Sequence, residues 1–183
     1  MVFRDRTYTV DEYEALAEQH SDRKLELIHG EIVEKMPNTI HAFIVQMISG
    51  FFFVFLQKNP LGYALIEPRH HLPDDDTNAR IPDLSFVRKE KNLVIGQGPV
   101  PFMPDLAVEV QSPGQSDRFM SDKAAFYLQH GTQIVWLVYP DRRLVEVLTP
   151  TERHLLTDDG VIDGGEVLPG LQIAVRDIFP QET

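Results

Sequence analysis

The sequence contains no cysteine. That absence excludes a disulfide scaffold, a thiolate zinc site and a cysteine nucleophile together, and it suits a reducing, cytoplasmic setting. Positive charge is scarce: 17 Lys plus Arg stand against 28 Asp plus Glu, a formal net charge of −11. A broad basic face wrapped around nucleic acid is therefore not expected, whereas a local acidic site for a divalent cation is compatible with the balance. Long apolar runs are missing too. The most apolar stretch, 42–56, is interrupted by Gln46, Ser49 and Gly50 and falls short of the roughly 20 residues that a membrane span needs. It reads as a buried core or interface helix, and no membrane partner is expected. The opening residues, MVFRDRTYTV, carry charge where a secretion signal needs an apolar core, so export is not expected either.

What is present suits one globular domain over residues 1–183: the composition is 43% hydrophobic and 25% charged, without repeats or low-complexity tracts. Thr9 with Glu12 three residues on is a capping box that opens a helix running to about Gln19. Two short strand-like runs, 24–28 and 31–36, flank His29-Gly30, a hairpin turn. Asn38 or Thr39 caps the apolar helix, which ends near Lys58 ahead of Asn59-Pro60. Strand-like segments follow at 63–67, 69–72 and 81–87, then a Gly- and Pro-bearing loop at 89–103 and a strand at 105–110. Residues 118–130 have helical spacing and stop at Gly131. Residues 134–138 are apolar enough for a central strand, and further strands are expected at 143–148 and 154–156 before a Gly-rich turn region. Helices on a mixed β-sheet, an α/β or α+β layer arrangement, is the fold class this order favours.

The informative residues are carboxylates inside apolar strands. Asp83 lies in Ile81-Pro-Asp-Leu-Ser-Phe-Val87 and Glu109 in Leu106-Ala-Val-Glu-Val110. A buried carboxylate is costly without a partner, and one cation shared by two of them is an economical answer. Alternation along a strand puts Glu109 and Gln111 on one face, with Val108 and Val110 on the other. Asp83, Glu109 and Gln111 converge if their strands are neighbours. Oxygen ligands of this kind suit Mg²⁺ or Mn²⁺. Lys123, on the later helix, shares a face with Phe119, Met120, Phe126 and Tyr127, so it either snorkels outward or reaches an anion.

Pro82-Asp83, 25 intervening residues, then Glu109-Val110-Gln111 resembles the PD-(D/E)-x-K nuclease signature, with Gln in the last place. The wider text is similar to one branch of that superfamily, named as restriction endonucleases and long catalogued as a domain of unknown function. The matching segments are Leu25-Glu-Leu-Ile-His-Gly-Glu-Ile-Val33, His41, Arg80-Ile-Pro-Asp83, Val108-Glu-Val-Gln-Ser-Pro113, Lys123 with Tyr127, Gly131, and Trp136-Leu-Val-Tyr-Pro140. They cover about residues 7–179. The resemblance implies a restriction-endonuclease-like fold, a central mixed sheet flanked by helices. It further implies a metal-dependent endonuclease acting on nucleic acid, DNA foremost, with Mg²⁺ or Mn²⁺ held by Asp83 and Glu109. On the same grounds Glu26 matches the early acidic residue that approaches the metal or its waters. Gln111 takes the place usually held by the catalytic Lys, and Lys123 supplies the missing charge. Phe119 and Tyr139 stand where many relatives carry an acid. Cutting both strands of a duplex favours two related sites, so a homodimer is expected.

Plainer readings stand beside these. Asp83 could simply cap a turn, Glu109 could pair with Arg80 or Arg118, and Glu26 could face solvent. His41 could face the cleft or simply cap the apolar helix, with the cap favoured. His70 and His71, adjacent in a strand, face opposite ways and cannot both bind one ion. Asp74-Asp-Asp76 is a solvated turn, since it lacks the glycine and distal Glu of a calcium loop. The aromatic cluster at 51–55 is core, with a dimer seam second. Arg69, Arg80, Arg88, Lys89, Lys91 and Arg118 could form a basic patch near the site. The rival functions are a nuclease-fold binding or assembly module without catalysis, which the net charge favours, and a hydrolase of small phosphate esters.

Overall fold

The capping box at Thr9 opens helix α1, Val10–Gln19: the Thr9 hydroxyl accepts from the Glu12 N–H and the Glu12 carboxylate accepts from the Thr9 N–H. The structure is a computed structural model that describes residues 6–181. Residues 1–5, the start of the charged amino-terminal segment, and 182–183 lie outside the described residues. Strands β1 (Lys24–Ile28) and β2 (Glu31–Lys35) pair antiparallel, Ile28 opposite Glu31 and Lys24 opposite Lys35. At the turn between them His29 and Gly30 both have positive φ, 50° and 78°, the conformation whose twist suits a two-residue hairpin. Gly30 is needed for a second reason, because a Cβ there would lie 2.2 Å from Thr7 Cγ2. Helix α2, Thr39–Lys58, starts at Asn38, whose side chain accepts from the His41 N–H.

After α2 come β3 (Gly62–Ile66), β4 (His70–His71), β5 (Ala79–Arg80) and β6 (Leu84–Arg88). They are followed by β7 (Leu106–Val110), helix α3 (Asp117–Gln129), β8 (Ile134–Tyr139), β9 (Leu144–Leu148) and β10 (Arg153–Leu156). Six strands form the main sheet in the order β10-β9-β8-β7-β6-β3, and β2-β1-β5-β4 make a second, smaller one. Within the main sheet β7 and β8 run parallel and the other pairs antiparallel. Helix α3 supplies the crossover that a parallel pair requires. The sheet is mixed and carries helices on both faces, as the sequence predicts.

Alternation sorts the core. Leu106, Val108 and Val110 of β7 face α2, packing with Ile44, Ile48, Phe52 and Trp136; the Phe52 and Trp136 rings meet edge to face at 5.5 Å. Ala107 of β7 faces α3 with Val135, Leu137, Met120 and Tyr127. A third cluster joins α1 to the hairpin through Val10, Tyr13, Leu25 and Leu27. By length and composition α2 suffices to cross a membrane, more apolar in effect than its polar interruptions suggest. Its inner residues are core.

Two expectations need correction. The strand expected from Ile81 begins only at Leu84; Pro82 has no N–H to give a ladder, so Asp83 precedes the strand. The segment read as turn and tail carries a small hairpin, β11 (Val161–Asp163) with β12 (Gln172–Ala174), whose three-residue strands are too short to announce themselves among glycines.

Candidate active site

Because Val108 and Val110 face α2, Glu109 faces α3, and there it meets two side chains one turn apart. The Lys123 Nζ donates to Glu109 Oε2 at 2.7 Å and the Tyr127 hydroxyl donates to Glu109 Oε1 at 2.8 Å. Lys123 also donates to Glu26 Oε2 at 3.1 Å. Glu26 arrives from the middle of β1, where the Ile81 N–H donates to its other oxygen at 2.9 Å. The smaller sheet is thus clamped to the main one through a shared ammonium.

Asp83 stands beside β7, one step before its own strand. Its Oδ2 accepts from the Val110 N–H at 2.7 Å, so the carboxylate fastens the start of β6 to the end of β7. Lys35, the last residue of β2, donates to Asp83 Oδ1 at 2.6 Å and to the Ile81 carbonyl at 2.8 Å, and its Nζ lies 3.8 Å from Glu109 Oε2. From α2, His41 Nε2 stands 3.1 Å from Asp83 Oδ2 without the alignment of a hydrogen bond. Glu26, Asp83, Glu109, Lys35, Lys123 and His41 are all buried.

Three carboxylates therefore share two ammoniums in a buried setting, and their protonation separates accordingly. Burial alone would raise Asp83, but the Lys35 ammonium against it holds it well below the usual carboxylate range. Glu26 likewise lies below its ordinary value, its burial outweighed by Lys123 and Lys35. Glu109 goes the other way: burial, with Asp83 and Glu26 as like-charged neighbours, raises it despite both lysines. Lys35 is raised, since Asp83, Glu109 and Glu26 overcome the penalty of burying its charge. Carboxylates driven apart in this way are a mark of acid–base sites.

Of the residues expected from the sequence, Asp83, Glu109, Glu26 and Lys123 come together and Gln111 does not. β7 ends at Val110, so alternation lapses; the Gln111 amide turns to the Gln115 carbonyl at 3.0 Å and to Asp117 Oδ1 at 3.1 Å. Glu26 does not face solvent, because β1 is covered on both sides. His41 is no cap: Asn38 does that work, and the His41 ring turns inward. Glu109 pairs with lysines rather than with Arg80 or Arg118. The basic patch assembles only in part: Arg69 and Arg80 lie beside the cluster, whereas Arg88 binds the Glu166 carbonyl, Lys91 the Met103 carbonyl, and Arg118 sits with Asp122 on the surface. His70 is buried between the Phe102 carbonyl and Ser85, and His71 contacts the Asp75 carbonyl, so neither enters the cluster. Sequence reading missed Lys35. The two-residue turn at His29-Gly30 sets Glu26 opposite Val33, which puts Lys35 two residues on along that same face; this register was the available signal.

Among the described residues no three His, Asp or Glu side chains are arranged as a ready metal cage. The donors are nevertheless right in kind for a hard divalent cation that keeps most of its waters. Lys35 Nζ, near both Asp83 and Glu109, marks a place where positive charge between those two carboxylates is already stabilised. Hollows flank the cluster. One of about 210 Å³ opens on the Lys35 side beside Arg23, Lys24 and Arg69, and one of about 250 Å³ on the Lys123 side beside Arg80 and Phe126.

A mixed sheet with an aspartate at the start of one strand, a glutamate inside its neighbour and a lysine beside both defines a protein of the restriction-endonuclease-like class. Residues 10–176 match the Uma2 family, described as "Putative restriction endonuclease", and the chain belongs to that family. In structure it resembles a protein from Anabaena variabilis ATCC 29413, described as a putative nuclease belonging to DUF820. The TM-score is 0.80 at 24% identity, over 93% of this chain and 97% of that one, a likeness that establishes the shared fold. No curated protein matches the chain.

Proposed function

We propose that this chain is a Mg²⁺- or Mn²⁺-dependent endonuclease that hydrolyses phosphodiester bonds in nucleic acid, DNA foremost, in the cytoplasm. The observation that carries this reading is the meeting of Asp83, just before β6, with Glu109 of the adjoining β7, a buried ammonium against each. Asp83 and Glu109 would hold the cation, whose chemistry when bound is to polarise the phosphate and acidify a water. Lys123 places positive charge where the non-bridging oxygens grow more negative as water attacks phosphorus and the bond to the leaving oxygen breaks. Family membership supports a nucleic-acid substrate. A duplex cut on both strands favours two copies about a two-fold axis.

One observation favours the rival, a nuclease-fold module without catalysis: all three carboxylates are buried and already bonded to protein donors. Calorimetric titration of Mn²⁺ into wild type and into Asp83→Ala/Glu109→Ala separates the two. Binding to wild type that vanishes in the double variant, with nicking of supercoiled DNA lost alongside, is the expected result. No binding and no nicking at millimolar metal, with or without DNA, leaves the non-catalytic module.

A further inference from the structure

The active-site cluster does not use the opposite flank of α2. The inner residues of that helix are core, but its outer stripe is apolar and open: Phe53 is 64% exposed and Phe43 40%. From residue 39 to 57 the helix carries no charge, in a chain of net −11. Beside it runs β3, the last strand of the main sheet, so half of its backbone N–H and C=O groups point away from β6 with no strand among the described residues to receive them. Edge strands are usually guarded by charge or proline within the strand; β3 reads Gly-Tyr-Ala-Leu-Ile and has neither. Its Tyr63 and Ile66 are 46% and 56% exposed. Between helix and strand lies a groove of about 540 Å³, lined by Gln46, Gly50, Phe53, Gln57, Ala64 and Ile66 among others.

We propose that this flank is where a second copy of the chain docks, β3 pairing antiparallel with its own copy across a two-fold axis and α2 packing beside its counterpart. An antiparallel pair of identical strands is self-complementary, with Ala64 opposite Ala64 and Gly62 opposite Ile66. The two-fold stands perpendicular to the sheet, so both α2 helices fall on one face and the two grooves meet there. The main sheets join into one of twelve strands, and each edge satisfies the other. The open edge selects the occupant. A row of N–H and C=O groups is satisfied by another strand and not by lipid, and the uncharged flank is where two acidic chains can approach closely. The exposed apolar side chains supply about half the area of a standard interface. With about 200 Å² for a full aromatic side chain, the exposed parts of Phe43, Phe53, Val54, Tyr63 and Ile66 offer roughly 400–500 Å² per copy. Half-buried Ser49, Gly50 and Leu56 lie between them, and a stable interface needs about 800 Å² per partner. Docking of this kind is independent of the nuclease reading, since nothing in it depends on Asp83 or Glu109.

Sedimentation velocity on the full chain, from about 1 to 100 μM, tests it. Wild type is expected to sediment as a dimer, and Phe53→Glu to weaken association at least a hundredfold with an unchanged circular-dichroism spectrum. Ile66→Lys, an exposed change at the strand edge, gives the same outcome if Phe53→Glu proves unstable. A wild type that stays monomeric throughout overturns the proposal, as does a dimer indifferent to both variants. Co-flotation of wild type with phosphatidylcholine vesicles containing phosphatidylglycerol, abolished by Phe53→Glu, would assign the flank to a membrane instead.

Discussion

Glu109 accepts from Lys123 at 2.7 Å and from the Tyr127 hydroxyl at 2.8 Å, with Asp83 and Glu26 nearby. Each donor offsets part of the cost of burying that carboxylate, so the donors differ in what their loss does. Lys123→Met leaves Glu26 and Glu109 without their shared cation and is expected to cost about 3–5 kcal/mol in urea denaturation. Tyr127→Phe removes one neutral donor from a buried anion and should cost about 1–3 kcal/mol. Gln111→Ala, whose amide serves only the turn after β7, should stay within about 1 kcal/mol and leave Mn²⁺ affinity unchanged. A Gln111→Ala variant that loses metal binding would return that residue to the site. Asp83, Glu109 and Lys123 were legible because a charge inside an apolar strand, or on an apolar helix stripe, demands a partner; Glu26 was raised only by the family resemblance. Gln111 failed because alternation was carried one residue beyond the strand. Lys35 was hidden since its partner Asp83 is 48 positions away in sequence and only tertiary register reveals the meeting, whereas His41 was noticed and its cleft-facing alternative is the one the structure bears out.

At the scale of elements, the hairpin at His29-Gly30 decides whether Glu26 and Lys35 present themselves to the main sheet at all. Gly30→Ala forces a left-handed conformation on a residue with a Cβ and drives that atom into Thr7. A loss of about 1–3 kcal/mol is expected from the backbone alone, read as a lowered melting temperature. A turn that tolerates Ala without cost would not be what sets the register that brings Lys35 to Asp83. Caps and turns were the legible part of the elements: Thr9 with Glu12, Asn38 and Gly131 each carry local chemistry that fixes an end. The β11–β12 hairpin was not legible, since three residues show no period. The start of β6 was misplaced because apolar Ile81 and Pro82 read as strand, yet the Ile81 N–H is spent on Glu26.

For the molecule as a whole, acidification separates groups that the fold keeps neutral from those it keeps ionised. Burial holds His70 down to about 4, against an ordinary value near 6.5, despite its bond to the Phe102 carbonyl. Since the folded value is the lower one, the unfolded chain binds the extra proton. The contribution of His70 is therefore complete above about pH 6.5 and is lost as pH falls toward 4, by roughly 3 kcal/mol at the lower end. Asp83 and Glu26 act with the same sign, but their loss sets in only as pH falls into the ordinary carboxylate range and continues below it. Glu109 acts with the opposite sign, because its raised value favours the folded state as acid is added. Comparing wild type with His70→Asn isolates the histidine from all three. Denaturation at pH 7, 5.5 and 4.5 should show wild type losing stability faster with acid than the variant, the gap between them narrowing by about 2–3 kcal/mol. Parallel curves would mean that His70 takes up its proton without disturbing the strands around Ser85, and that the acid sensitivity of this chain rests on its carboxylates alone.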